Sequence, residues 1–183
     1  MVDQESPIQL IVGLGNPGLE YKDTRHNAGY WFIDKVIQEY GGTISVEKKF
    51  NGEIGAVQIA DTRIKILKPT TYMNESGRAV QSVYEFYKLA PHQVLIAHDD
   101  IDLSPATAKY KLGGGHGGHN GLRDIFNHIG QDFWRVRIGV GHPGHKDQVT
   151  GYVLKKAPSE EHKLIMQSIY AAVQDLPLKV TGT

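Results

Sequence analysis

The 183-residue sequence contains no cysteine, which excludes disulfides, thiol nucleophiles and thiolate metal sites together. It also has no excess of charge of either sign. Lys plus Arg and Asp plus Glu are 20 each, so the chain as a whole is not built to bind a polyanion, and any contact with nucleic acid must use a local patch. No run approaches the ~18 apolar residues of a membrane span, and the opening MVDQESP is polar and acidic rather than hydrophobic. No G-x-S-x-G occurs, so no serine on a strained strand-to-helix turn is available as a nucleophile. Internal repeats and low-complexity tracts are lacking too. The expectation is a soluble cytoplasmic protein, and a 40% hydrophobic content suits one domain spanning residues 1–183, with no visible linker.

The most informative stretch is Gly13 to Gly29, GLGNPGLEYKDTRHNAG. An apolar run, Ile8 to Leu14, reads as a buried strand, and Gly13, Gly15, Pro17 and Gly18 then force a tight, irregular exit at its carboxyl end. Open α/β sheets place their ligands at such ends. GLGNPG satisfies the dinucleotide pattern G-x-G-x-x-G, but the match stops there. In a dinucleotide fold the third glycine opens a helix, and an acidic residue follows ~20 positions later at the next strand end. Here Pro17 and the polar LEYKDT precede any helical pattern, and Asp34 and Glu39 fall inside the helix itself.

Beyond the loop, Asp23 or Thr24 can cap a helix with apolar positions Ala28, Phe32, Val36 and Ile37, ending at Gly41-Gly42. Thr43 to Val46, Glu53 to Ile59 and Arg63 to Leu67 read as short strands, the last two as a hairpin. Asn74 to Leu89 reads as a second helix. Val94 to Ala97 is a buried strand ending in His98-Asp99-Asp100, a second place where polar residues stand above a sheet. Thr107 to Leu112 alternates and Gly113 to Gly118 breaks it. Leu122 to Ile129 is a short helix, Trp134 to Val140 a strand, and Ser159 to Leu176 a closing helix capped by Ser159. Interleaved helices and strands imply an α/β fold: one domain, a mixed twisted sheet with helices on both faces, the hairpin supplying antiparallel edge strands.

His26 is the leading candidate for a base, since a neutral imidazole near physiological pH can take a proton from water. A single histidine among nine proves little, and capping or surface roles are the common ones. Asp99 can orient the other ring nitrogen and stabilise an imidazolium, or simply turn the chain in HDD. Asn16, Asn74 and Asn120 each lie in a loop or helix start, where an amide is an uncharged donor toward an oxyanion or carbonyl or an ordinary cap. The pairs His116-x-x-His119 and His142-x-x-His145, with the HDDID carboxylates, are a competing metal site, although glycine-rich loops do not preform bidentate ligand pairs. A purely RNA-binding module would leave the His26, Asp99 and asparagine set without a purpose.

GLGNPG with Tyr21 and TRHNAG, KPTTYMNESG (Lys68 to Gly77), HDDIDL (His98 to Leu103), KLGGGHGGHNGL (Lys111 to Leu122) and RIGVGHPG (Arg137 to Gly144) together resemble the blocks of bacterial peptidyl-tRNA hydrolases, in order and over nearly the whole chain. The resemblance implies a metal-independent esterase, without cofactor, that frees tRNA and peptide from peptidyl-tRNA during translation and ribosome rescue. It maps His26 and Asp99 onto the catalytic pair and Asn16, Asn74 and Asn120 onto active-site asparagines, Asn16 toward water and oxyanion, the other two toward the peptide. Tyr21, Tyr72 and His119 resemble substrate-binding positions, and Lys109, Lys111 and Arg137 phosphate-contacting ones. The expected partner is peptidyl-tRNA, held by its acceptor stem and 3' end, with no membrane, no obligate protein partner and a monomeric chain. Lys109 and Lys111 would project from one strand face and Arg135 and Arg137 from the next, giving two basic pairs beside the glycine loops.

Overall fold

A computed structural model describes residues 7–180; the acidic opening, residues 1–6, and residues 181–183 lie outside the described part. The elements in order are β1 (Leu10–Gly13), a 3-10 turn (Arg25–Asn27), α1 (Ala28–Tyr40), β2 (Thr43–Glu47), β3 (Gly52–Ile59) and β4 (Thr62–Pro69). A second 3-10 turn (Met73–Glu75) leads into α2 (Ser76–Phe86), followed by β5 (Val94–Asp100), β6 (Ala108–Leu112), α3 (Asn120–Ile129), β7 (Trp134–Gly139), α4 (Val149–Val153), α5 (Ser159–Gln174) and α6 (Leu176–Val180). One seven-stranded sheet has the order β2-β3-β4-β1-β5-β7-β6. β1 is parallel to β4 and β5, and β5 to β7, while β2/β3, β3/β4 and β6/β7 are antiparallel. The sheet is thus mixed, with the hairpin extended by β2 into a meander on one side and β6 as a second antiparallel edge on the other.

The period of two along each strand decides which side chain enters which layer. On β1, Ile11 joins Phe32, Ile165 and Ile169 under α1 and α5, whereas Leu10 and Val12 join Val80, Leu122 and Ile125 under α2 and α3. Full burial of a side chain such as Phe32 stabilises by roughly 1.5–3 kcal/mol. The same alternation on β5 puts Leu95 and Ala97 on the α1 side and Val94 and Ile96 on the α3 side. Asp99 inherits the first side.

Four local expectations need correction. β5 does not stop at Ala97: His98 and Asp99 pair with Arg137 and Ile138 of β7, so the acidic residues are strand residues and not a turn. The helix expected over Asn74 to Leu89 is a 3-10 turn followed by α2, which ends at Phe86, before Lys88 at positive φ (52°). α3 begins at Asn120 rather than Leu122, because the His119 imidazole accepts from the Gly121 and Leu122 amides. Ser159 is the first residue of α5, after the non-helical Pro158, and its hydroxyl does not cap it.

α1 reaches the sheet unusually closely. A Cβ on Gly29 would collide with Ala97 O and Leu14 N, and one on Gly13 with Gly29 O. With no side chain between helix and strand, the turn that starts α1 comes within hydrogen-bond reach of the end of β5.

Candidate active site

The 3-10 turn Arg25–Asn27 carries His26 to the end of β5. His26 Nδ1 lies 2.9 Å and 3.0 Å from the two Asp99 oxygens, and both residues are buried. The carboxylate accepts, so Nδ1 carries the hydrogen and Nε2 is the nitrogen left to accept a proton. Burial alone would depress the His26 pKa, but the adjacent Asp99 charge and its hydrogen bond outweigh it and leave it raised. For Asp99, burial would raise the pKa, yet the charges of His26 and His119 and their hydrogen bonds prevail and hold the carboxyl far below the ordinary range.

Asp99 also serves a second imidazole. His119 Nε2 lies 2.8 Å from Asp99 Oδ1, while its Nδ1 accepts from Gly121 N at 3.1 Å and Leu122 N at 3.3 Å. An Nδ1 that accepts two amides has no proton, so Nε2 carries the hydrogen given to Asp99, and His119 cannot take a proton there without uncapping α3. Behind it, His98 donates from Nδ1 to Asp99 O at 2.9 Å; burial, with His119 adding to it, pushes the His98 pKa down to about 4.

Asn16 is clasped by a residue that sequence reasoning passed over. Asn27 accepts from Asn16 N at 2.9 Å and donates to Asn16 O at 3.0 Å. The Asn16 side-chain oxygen in turn accepts from Met73 N at 2.7 Å, so only its Nδ2 donors remain for a substrate. Asn16 is thus held at its backbone by the Asn27 side chain and at its side-chain oxygen by Met73 N, and the signal for it was the asparagine just after His26.

A cavity of about 730 Å³ gathers these groups: Asn16, His26, Asp99, Asn74, His119 and Asn120 all line it. Lys111 and Arg137 line it too. Asn74 and Asn120 are exposed and come from the start of two different elements, the turn before α2 and the first residue of α3. A third side chain fixes the two elements to each other: Asp124 of α3 accepts from Gly77 N of α2 at 2.8 Å.

Not every expected residue is brought in. Lys109, Tyr21 and Tyr72 are absent from the cavity lining; the two tyrosines meet edge to face with centroids 6.5 Å apart, and Tyr72 is 56% exposed. The two basic pairs do share one face, Lys109 opposite Arg137 and Lys111 opposite Arg135, but they are unlike in access. Arg135 is buried and donates to the Gly114 and Gly115 carbonyls, so it pins the glycine loop instead of meeting solvent. Arg137 donates to Asp100 at 2.7 Å.

The histidine pairs do not assemble as metal ligands. His116, His119, His142 and His145 each use Nδ1 to accept the backbone N–H two residues on. His26, Asp99 and His119 do cluster within 4.8 Å, and at 2.8–3.0 Å the two imidazoles and the carboxylate satisfy one another as a hydrogen-bonded network.

A family model described as peptidyl-tRNA hydrolase matches residues 10–183. The chain belongs to that family. It is 51% identical over 177 residues to the peptidyl-tRNA hydrolase of Acinetobacter baylyi, covering 97% of this chain and 92% of the relative. A Psychromonas ingrahamii relative of the same name is 53% identical over 169 residues, 91% of this chain and 86% of its own. The crystal structure of the Acinetobacter baumannii peptidyl-tRNA hydrolase superposes with a TM-score of 0.94 at 49% identity, covering 100% of this chain and 92% of that one. Family membership accounts for the five sequence blocks together: they are the segments that converge on this cavity. Among the described residues no helix is long and apolar enough to cross a membrane.

Proposed function

We propose that His26 is the general base with which this chain, a hydrolase of peptidyl-tRNA, activates water against the ester between peptide and tRNA. The observation that carries the reading is the buried His26–Asp99 pair at the cavity wall: with Nδ1 donating to the carboxylate, Nε2 is the nitrogen left to take a proton from water. Water loses its proton to Nε2 as its oxygen bonds to the ester carbonyl carbon. The imidazolium then sits against Asp99, and the carbonyl oxygen takes up the negative charge. Asn16, whose oxygen is already taken by Met73 N, offers Nδ2–H to that oxyanion. Collapse expels the ribose oxygen, which takes the proton back from His26. Asn74 and Asn120 hold the peptide, with His119 bracing Asp99 and Tyr21 and Tyr72 outside the cavity as an aromatic surface for an extended substrate.

The reading extends to the tRNA. Lys111, which lines the cavity and has no ion-pair partner among the described residues, takes an acceptor-end phosphate, with the exposed Lys109 beside it and Arg137 contributing the part of its guanidinium that Asp100 leaves free. Because phosphate contacts release counterions, each lost lysine should flatten the slope of log affinity against log salt by roughly 0.7–0.9. Lys109→Ala with Lys111→Ala should raise KM for full-length substrate and leave a substrate carrying only the terminal nucleoside nearly unaffected. An unchanged salt slope would put the tRNA elsewhere. The chain is taken to act as one unit over 1–183, as a monomer, in the cytoplasm where peptidyl-tRNA arises; all the reacting groups come from a single chain.

The deciding assay offers N-acyl-aminoacyl-tRNA and free aminoacyl-tRNA in parallel, with and without a chelator. Cleavage of the first alone, unaffected by chelator, is expected. Loss of activity on chelation would favour the His26, Asp99, His119 cluster as a metal site.

A further inference from the structure

We propose that Arg25, the residue before the base, is a positioning residue that keeps one wall of the substrate cavity in register with His26. The inference rests on reading the cavity as the peptidyl-tRNA site. Arg25 is buried, with only 6% of its side chain exposed. Its Nη1 donates to Tyr152 O in the last turn of α4 at 2.9 Å and to Lys155 O, two residues past that helix, at 3.4 Å. Its guanidinium lies 3.7 Å from the centroid of the Tyr152 ring, and the Tyr152 hydroxyl donates to Val140 O at 2.8 Å, just past β7. The backbone repeats the attachment: Arg25 N donates to Lys155 O at 3.1 Å, and Thr24 bridges Lys156.

α4 is therefore fastened at one end to the turn that carries His26 and, through Tyr152, to the end of β7. Val149, Thr150 and Val153 of the same short helix, with Leu154 after it, line the cavity. A shift of α4 relative to the turn would move this wall against the base without touching Asp99.

Stability does not explain the choice of arginine. The one acidic group within ion-pair distance among the described residues, Glu161 at 3.5 Å, is 40% exposed, and Arg25 Nε is buried without a partner. A buried cation so thinly compensated is often no more stable than an apolar side chain of the same volume. What arginine supplies is a plane that stacks on a ring while donating in that plane to two carbonyls, which lysine cannot copy.

The test uses the full chain and an uncleavable analogue, a peptide joined by an amide to 3'-amino-tRNA, so that binding is read without the base and a failure of the catalytic reading leaves this result intact. Arg25→Lys should stay folded, with a Tm within a few degrees of wild type, and bind the analogue about tenfold more weakly, since hydrogen bonds from a charged donor are worth at least that factor. The acid limb of kcat should not move, because the His26–Asp99 pair is untouched. Tyr152→Leu, which keeps the Arg25 charge but removes its ring and the Val140 link, should weaken binding similarly and carries the test if Arg25→Lys does not fold. Wild-type affinity in either folded variant overturns the proposal. So does unchanged affinity with a displaced acid limb, which would make Arg25 an electrostatic partner of His26 instead.

Discussion

His26→Ala is expected to lower kcat by at least about 10²-fold, the usual loss for a missing general base, with affinity for tRNA nearly intact. The two effects separate because no tRNA contact is assigned to His26, whereas the proton of the attacking water loses the acceptor assigned to it. His119 cannot stand in: its Nδ1 is taken by the Gly121 and Leu122 amides and its Nε2 already donates to Asp99. The fold should persist, since Asp99 keeps the His119 hydrogen bond and is not left a bare buried charge. Single-turnover rates on N-acyl-aminoacyl-tRNA, with circular dichroism to show that the variant is folded, give the answer. A folded His26→Ala with near-normal kcat would remove the proposed mechanism.

Asp99→Asn should be comparably damaging, about 10²-fold or more in kcat, and should also move the pH profile. The base works only when neutral, so activity falls as pH drops through the His26 pKa. That pKa is raised in the wild type because the Asp99 charge and hydrogen bond outweigh burial. Without the anion, burial prevails and the pKa drops; the acid limb of kcat must then shift to lower pH. Asparagine also has one acceptor oxygen for two imidazole N–H groups, and its own N–H turned toward His26 would favour the tautomer with Nε2 blocked. A pH-rate series on wild type and variant decides it: an acid limb that stays in place or moves upward means that Asp99 does not act on His26.

The sequence made some of this legible and hid the rest for identifiable reasons. β1, the end of α1 at Gly41 in the left-handed region and the β3/β4 hairpin are announced by apolar runs and glycines within the segments themselves. The extension of β5 through Asp100 depends on pairing with β7, nearly forty residues away, and nothing local in HDD announces it. Arg135 and Arg137 look alike as alternating cations, yet one is buried against two carbonyls of the glycine loop and the other pairs with Asp100. His119 read as a residue near substrate; its part in fixing Asp99 depends on the α3 amides lying behind it, a contact only the assembled fold reveals. The likeness of five separated blocks to one family supplied what periodicity could not, the association of His26 with Asp99 across 73 positions.

That one carboxylate serves two imidazoles sets how charge moves in the proposed reaction. In the working form His26 is neutral before it meets the water, and Asp99 carries the negative charge beside it. When His26 takes the proton from water, the new imidazolium and the carboxylate cancel, and the negative charge reappears a few ångströms away on the ester oxygen. The sum inside the buried centre is the same before and after. What the protein has to stabilise is one new ion pair with no change in net charge, the cation formed against a carboxylate already in place and the anion only a short distance away, and a low-dielectric interior penalises that far less than net ionisation.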